Sequence, residues 1–374
     1  MRMLFLAPKV NLDKPCGGTL HYLDLTECMA KANPGIEIYL VASGREKSEK
    51  KAKNLTIITD PGIDTSIWHF REGKRKSAYL NSIVKQIGPD FVYCRTEPFE
   101  LFPILASLEC PGLIEISYNL FSKSYDVSPA VAFLWPLRNA ALKAWMRKAV
   151  ARFGSVLTVS DSSKKCLQKR ISKPINVVRT GVNLGKFRGS RKNKYGRIVF
   201  VGNSLKYQGV HLLIEASRLL EKQGIKHEIV VVGSHDPAKY NAPASVKFLG
   251  PLSNKAAVKE MEACSIGVAP YMEAENEPFG FSPVKILEYM AAGLAVVATD
   301  TEWNRELIKE KNGLLFRSGS AEDLAEKLKH LLSGGRELKR MQEFNKSEAK
   351  RIYRWEKISD EIVAIARKSL AARA

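Results

Sequence analysis

No stretch of this chain approaches the roughly 20 consecutive apolar residues that a bilayer-spanning helix needs, so no spanning segment is expected. Cysteines at metal or redox spacing are also missing. The six present (Cys16, Cys28, Cys94, Cys110, Cys166 and Cys264) are scattered, without a CxxC pair. That pattern excludes a disulfide framework and a zinc site, and it fits free thiols in a reducing compartment. The opening MRMLFLAP is too short for a signal peptide and reads as a first buried strand, which makes the cytoplasm the expected location. No cluster of metal ligands is evident, and neither a bound metal nor an organic cofactor is expected.

Acidic residues are the other shortage. Asp and Glu number 39 against 59 Lys and Arg, a net charge of +20. Residues 1–122 hold 15 basic against 14 acidic side chains, whereas 123–184 hold 12 basic against only Asp126 and Asp161. The remaining excess is diffuse. A positive field of this kind attracts anionic lipid, a phosphate-bearing acceptor or nucleic acid. Nucleic acid is the weakest of these, because the basic stretch has few interleaved aromatics and no nucleic-acid module is present. Within it, LWPLRNAALKAWMRKAVARF (residues 134–153) places Leu142, Trp145, Ala149 and Phe153 on one helical face, but Arg138 and Arg152 fall beside Trp145. It reads either as an ordinary domain helix or as one touching a membrane through snorkelling cationic stems.

What the chain does have is length and rhythm. At 374 residues, with 45% hydrophobic and 26% charged content, it has room for two ordinary domains with full cores. Short apolar runs alternate with helical patterns from Met3 onward. Lys186 to Arg197 is polar and basic without period, and then the alternation restarts at Ile198. Two such series predict two parallel α/β sheets, each covered on both faces. Ser347 onward reads as one long helix with Tyr353, Trp355, Ile358 and Ile362 as its apolar stripe.

The most informative segment is EPFGFSPVKILEYMAAGLAVVATD, Glu277 to Asp300. Ser282 suits a helix N-cap and Pro283 the first helical position. Apolar residues then recur at helical spacing, Gly293 suits a left-handed C-cap, and Leu294 to Ala298 reads as a buried strand. A helix N-terminus offers unpaired N–H groups to a phosphate. Lys285 adds a mobile charge in the first turn, and Glu288, one turn on, could accept from the two hydroxyls of a ribose.

This block closely resembles the donor-binding motif of family 4 retaining glycosyltransferases, in the subgroup written S-P-x-K-x-x-E-Y-M-A-x-G. The resemblance implies the GT-B fold: two facing Rossmann-like domains with a C-terminal helix crossing back to the first. The expected domains are 1–185 for the acceptor, 186–345 for the nucleotide-sugar donor, and 346–374 for the crossover helix. The implied reaction moves a hexose from a nucleoside diphosphate sugar to a glycan or lipid-linked acceptor, with retention of configuration. Such an enzyme could sit peripherally on the inner face of the membrane through residues 123–184. Two alternatives stay open: a catalytically inactive GT-B subunit that binds a partner or membrane, and a GT-B nucleotide-sugar 2-epimerase.

Further segments carry the same likeness. VGNSLKYQGVHLLIEA, from Val201, keeps the family's seven-residue spacing between Gly202 and Gly209, but Asn203 and Gln208 stand where cations are common. Lys206 is the candidate to supply the missing charge. Gly17 and Gly18 match a loop near the donor diphosphate and the acceptor, which makes Thr19 and His21 cleft candidates. IEISYNL, from Ile114, offers Glu115 and Asn119 on the acceptor side, with Ser117 where a histidine or asparagine is usual. RTGVNLGKF, from Arg179, resembles the hinge, and NRELIKEKNGLLF, from Asn304, a structural segment. The family's paired glutamates lie eight apart, and eight before Glu288 stands Gly280. Either Glu277 reaches the sugar from a longer loop, or the first carboxylate is absent. The resemblance thus assigns Lys285, Glu277 and Lys206 to catalysis. It assigns Gly17, Gly18, Gly202, Asn203, Ser282, Pro283, Val284 and Glu288 to the donor, and His21, Glu115 and Asn119 to the acceptor.

Overall fold

A computed structural model describes residues 1–13, 17–63, 70–96, 111–116, 153–169, 171–189, 194–272 and 284–372, together with 140, 144, 147, 150 and 151. Among these, one compact unit holds the residues of 1–180 and those from Trp355 onward, and a second holds those of 181–354. The sequence placed the corresponding borders at 186 and 346.

In the first unit, β1 (Arg2–Asn11), β2 (Glu37–Ser43), β4 (Leu55–Thr59), β5 (Phe91–Thr96), β6 (Gly112–Ile116), β7 (Ser155–Thr158) and β8 (Ile175–Val177) lie parallel. The sheet order is β3-β4-β2-β1-β5-β6-β7-β8. Strand β3 (Lys47–Ala52) is the antiparallel edge that the sequence did not suggest. Its KSEKKA is exposed almost throughout, and lysines on an edge strand discourage further pairing. Helices α1 (Gly17–Ala32), α2 (Phe70–Ile87) and α3 (Asp161–Gln168) follow β1, β4 and β7. The cap of α3 is Ser160, whose hydroxyl accepts from the Ser163 N–H at 3.1 Å.

The second unit is built from β9 (Arg197–Val201), α4 (Val210–Lys222), β10 (Glu228–Val232), β11 (Val246–Gly250), α5 (Asn254–Glu262), β12 (Ile266–Ala269), α6 (Val284–Ala291), β13 (Ala295–Thr299), α7 (Glu302–Leu307), β14 (Gly313–Phe316), α8 (Ala321–Ser333) and α9 (Gly335–Arg351). Its six strands are all parallel, in the order β11-β10-β9-β12-β13-β14. That is the doubly wound Rossmann order.

The long helix expected from Ser347 onward is two helices. The first, α9, stops at Arg351, and α10 (Trp355–Ala371) begins after a break. At the break the Val182 N–H donates to the Tyr353 carbonyl at 2.6 Å, so the backbone there pairs with the start of the second unit instead of continuing the helix. Trp355, Ile358, Ile362, Val363 and Ala366 of α10 belong to the core of the first unit, with Leu25 and Met29 of α1 and Phe5 of β1. Of the basic stretch 134–153, most lies outside the described residues; Val150 and Phe153 are buried in the first unit's other core layer.

Candidate active site

In an open α/β sheet, ligands bind at the carboxyl ends of the strands, where the strand order reverses and successive crossovers diverge. In the second unit this reversal lies between β9 and β12, which pair only through Ile198–Ile266 and Val199–Gly267. Beyond that, the Tyr289 hydroxyl of α6 spans the gap, accepting from the Val201 N–H at 2.9 Å and donating to the Val268 carbonyl at 3.3 Å. Its ring lies on Gly267, where any Cβ would overlap it. The tyrosine of the E-Y-M string therefore anchors α6 to the sheet at the point of divergence.

The loops leaving this point are packed closely. Gly209, in the left-handed region at φ +71°, sits against the Pro270 carbonyl, where a side chain would overlap backbone. Gly233, at φ +135°, does the same against the Gly202 carbonyl. Gly202 faces a third contact: a Cβ there would lie 2.8 Å from Phe200 Cζ, 2.9 Å from Gln208 Oε1 and 3.0 Å from Lys285 Nζ. The strand before this glycine, the turn after it and the distant helix α6 thus converge on it.

Lys285 is the group they converge with. The sequence suggested a mobile surface charge; instead it is buried, 8% exposed. Its ammonium donates to Gln208 Oε1 at 2.5 Å and lies 4.4 Å from the centre of the Phe200 ring and 4.6 Å from that of Tyr271. Ring faces attract a cation, but they replace little of its lost hydration. Burial accordingly pushes the lysine down to about 7, opposed by the nearby Glu288 carboxylate. A buried lysine beside a bare glycine loop is an arrangement that an incoming anion would stabilise.

Val284 starts α6, and Glu288 is partly buried one turn beyond Lys285. The helix ends as expected: Gly293 has φ +73°, and the Leu294 N–H donates to Tyr289 O at 2.9 Å in a Schellman closure. Asn203 is exposed, and its side chain accepts from the Leu205 N–H at 3.2 Å. Lys206 is exposed at the start of a short 3-10 turn. Glu277, Ser282 and Pro283 lie outside the described residues. Sequence reasoning noted Gln208 only as a departure, and it missed Phe200, Tyr271 and His235, because rings brought together from β9 and from the loops after β12 and β10 leave no spacing signal.

In the first unit the reversal lies between β1 and β5. Gly17 and Gly18 open α1, and Thr19 and His21 follow, both buried. Glu115, near the end of β6, is 4% exposed. Its carboxylate takes Arg95 Nε at 3.2 Å and the Tyr93 hydroxyl, and it lies 3.9 Å from His21 Nε2. The His21 ring meets Trp355 edge-on at 5.0 Å, and among the described residues neither of its nitrogens has a hydrogen-bond partner. Burial, reinforced by Arg95 against the weaker pull of Glu115, pushes His21 down to about 3, so it is neutral. The sequence assigned His21 and Glu115 to the acceptor side. Here they form a buried network around Arg95, a residue with no motif to mark it. Asn119 lies outside the described residues. Among those described, no group of His, Cys, Asp and Glu is placed to hold a metal ion, and no helix is long and apolar enough to cross a membrane.

Comparison with known proteins accounts for nearly the whole chain. Residues 15–186 match the model "Glycosyltransferase Family 4", and residues 185–348 match "Glycosyl transferases group 1". The chain belongs to the GT-B glycosyltransferases. This glycosyltransferase is 22% identical over 350 residues to N,N'-diacetylbacillosaminyl-diphospho-undecaprenol alpha-1,3-N-acetylgalactosaminyltransferase of Campylobacter jejuni, covering 84% of this chain and 87% of that one. It is 28% identical over 172 residues to the amylovoran biosynthesis glycosyltransferase AmsK of Erwinia amylovora, a match spanning 43% of this chain and 42% of AmsK. In fold, the glycosyltransferase resembles Anabaena Alr3699/HepE, solved in complex with UDP and glucose, with a TM-score of 0.70 at 15% identity over 98% of this chain and all of that one.

Proposed function

We propose that this glycosyltransferase moves a hexose from a nucleoside diphosphate sugar to a lipid-linked or phosphate-bearing acceptor with retention of configuration. The observation that carries the reading is the buried Lys285 ammonium, held between Phe200 and Tyr271 and aimed by Gln208 at the bare backbone of Gly202. A diphosphate is the leaving group that such a site fits: it brings the negative charge that the lysine lacks, and its charge grows as the sugar departs. Glu288 would take the ribose hydroxyls, and Lys206 would approach the phosphates from the exposed loop.

In the reaction, the bond between the anomeric carbon and the diphosphate oxygen breaks. The acceptor oxygen then bonds to the same face of that carbon, and its proton passes to the departing phosphate. Positioning and electrostatic stabilisation carry the rate, and neither step needs a metal or an organic cofactor. The Campylobacter relative's name specifies an undecaprenyl-diphosphate acceptor, which supports an acceptor of that chemistry here. The excess of 12 basic over two acidic residues in 123–184 supports contact with an anionic leaflet from the cytoplasmic side.

Hydrolysis of a panel of UDP-, GDP-, ADP- and dTDP-sugars tests the donor, and the anomeric configuration of the released or transferred sugar, read by NMR, tests retention. Turnover of none of them, together with binding of no nucleoside diphosphate, would refute the enzymatic reading in favour of an inactive subunit. Flotation with anionic against neutral liposomes tests the membrane contact; equal failure with both removes it.

A further inference from the structure

His235 follows β10 and lies in the loop that brings Gly233 against Gly202. Its Nε2 lies 2.9 Å from the Gly202 carbonyl oxygen, and its Nδ1 lies 3.3 Å from the Tyr240 hydroxyl. A carbonyl can only accept, so Nε2 carries the proton and Nδ1 is left to accept from Tyr240. The ring is wedged among Phe200, Tyr240 and Phe248, with centroids 5.8, 6.0 and 6.1 Å away. Its donor is therefore fixed in place.

A trans peptide points its C=O and its N–H in opposite directions. With the Gly202 oxygen drawn toward His235 and Gly233, the Asn203 N–H of the same peptide points away from them, toward the open side of the loop. Among the described residues that N–H has no acceptor. The Asn203 side chain does not take it, being occupied with the Leu205 N–H. The same Gly202 faces Lys285 Nζ and Gln208 Oε1 through the space of its missing side chain.

We infer that His235 is a positioning residue for the donor: by holding the Gly202 carbonyl it turns the Asn203 N–H outward, beside Lys285, to donate to a phosphate oxygen. The inference rests on the donor-site reading above and adds a residue that acts through the backbone without touching the ligand. Neutrality suits this task. Burial holds the imidazole below its ordinary range, with the Lys285 charge acting in the same sense against the Gly202 hydrogen bond, so Nδ1 stays unprotonated and keeps accepting from Tyr240 while Nε2 donates to Gly202.

The test compares wild type with His235→Phe, which keeps the aromatic packing and loses the donor, and His235→Gln, which restores a donor. Binding of UDP, GDP, ADP, inorganic pyrophosphate and the corresponding free nucleosides is measured by calorimetry, and thermal stability is followed in parallel. For whichever diphosphate the wild type binds, His235→Phe should weaken affinity about tenfold. Pyrophosphate should lose the same factor and the free nucleoside none, and His235→Gln should recover most of the loss. Equal diphosphate binding by His235→Phe and wild type overturns the inference and leaves the donor site standing. So does a loss shared equally by the nucleoside. If wild type binds no diphosphate at all, the donor-site reading fails, and this inference with it.

Discussion

Diphosphate binding should take up a proton, because the lysine awaiting it is mostly neutral at alkaline pH. Burial pushes Lys285 down to about 7. An adjacent diphosphate restores the ammonium and raises its pKa toward the ordinary lysine range near 10.4. The sign follows directly. At pH 8 about nine-tenths of the free protein has Lys285 neutral, so binding takes up about 0.9 proton; at pH 7 the uptake is about 0.5. Between pH 7.5 and 9 the affinity should fall about tenfold per unit, or about 1.4 kcal/mol. Among the described residues, Glu288 faces the ammonium and favours its charged form, His235 is already held neutral in this window, and the Tyr271 ring lies beside it. The phosphate's own last ionisation lies near 6, below the window. Calorimetry of UDP or GDP binding in buffers of different ionisation enthalpy reads the uptake directly, and Lys285→Met should abolish it together with most of the affinity. Binding heats that are the same in every buffer at pH 8, or an affinity that stays flat from pH 7.5 to 9, would refute the placement of Lys285 against the phosphates.

Gly202→Ala keeps a permitted backbone but crowds Phe200, Gln208 and Lys285 at 2.8 to 3.0 Å, so it should displace the lysine and weaken diphosphate binding about tenfold with a modest loss of Tm. Glu115→Gln breaks a buried pair with Arg95 and should lower unfolding free energy by about 3 kcal/mol in urea titrations. Unchanged stability with a raised acceptor KM would instead show Glu115 to be a contact residue. Tyr289→Phe leaves the half-buried Val201 N–H without its acceptor and should cost about 1 kcal/mol of stability, measured the same way.

Much of the fold was legible because parallel strands buried on both faces announce themselves as short apolar runs, and here nearly every such run became a strand. Gly293 and the strand after it behaved as their residue types require. The edge strand β3 was invisible because KSEKKA has no apolar alternation; its place comes from pairing with β4. The break between α9 and α10 was invisible for a related reason, since Ile352, Tyr353 and Arg354 suit a helix and only the partner backbone of Val182 stops it. At the site, the motif identified Lys285 but not its burial, which depends on Phe200 and Tyr271 arriving from β9 and from the end of β12. Arg95 and His235 carry no motif, and each meets groups that are distant in sequence.

The two places where a glycine abuts a carbonyl from another loop, Gly209 on Pro270 and Gly233 on Gly202, leave no room for even a methyl group. These turns behave like dry-stone masonry, each block seated by its neighbour's shape. A change in which sugar nucleotide the enzyme accepts cannot be sculpted there without dismantling the wall. Laboratory evolution of donor preference should therefore leave these glycines untouched and collect its substitutions on side chains that hang from other loops.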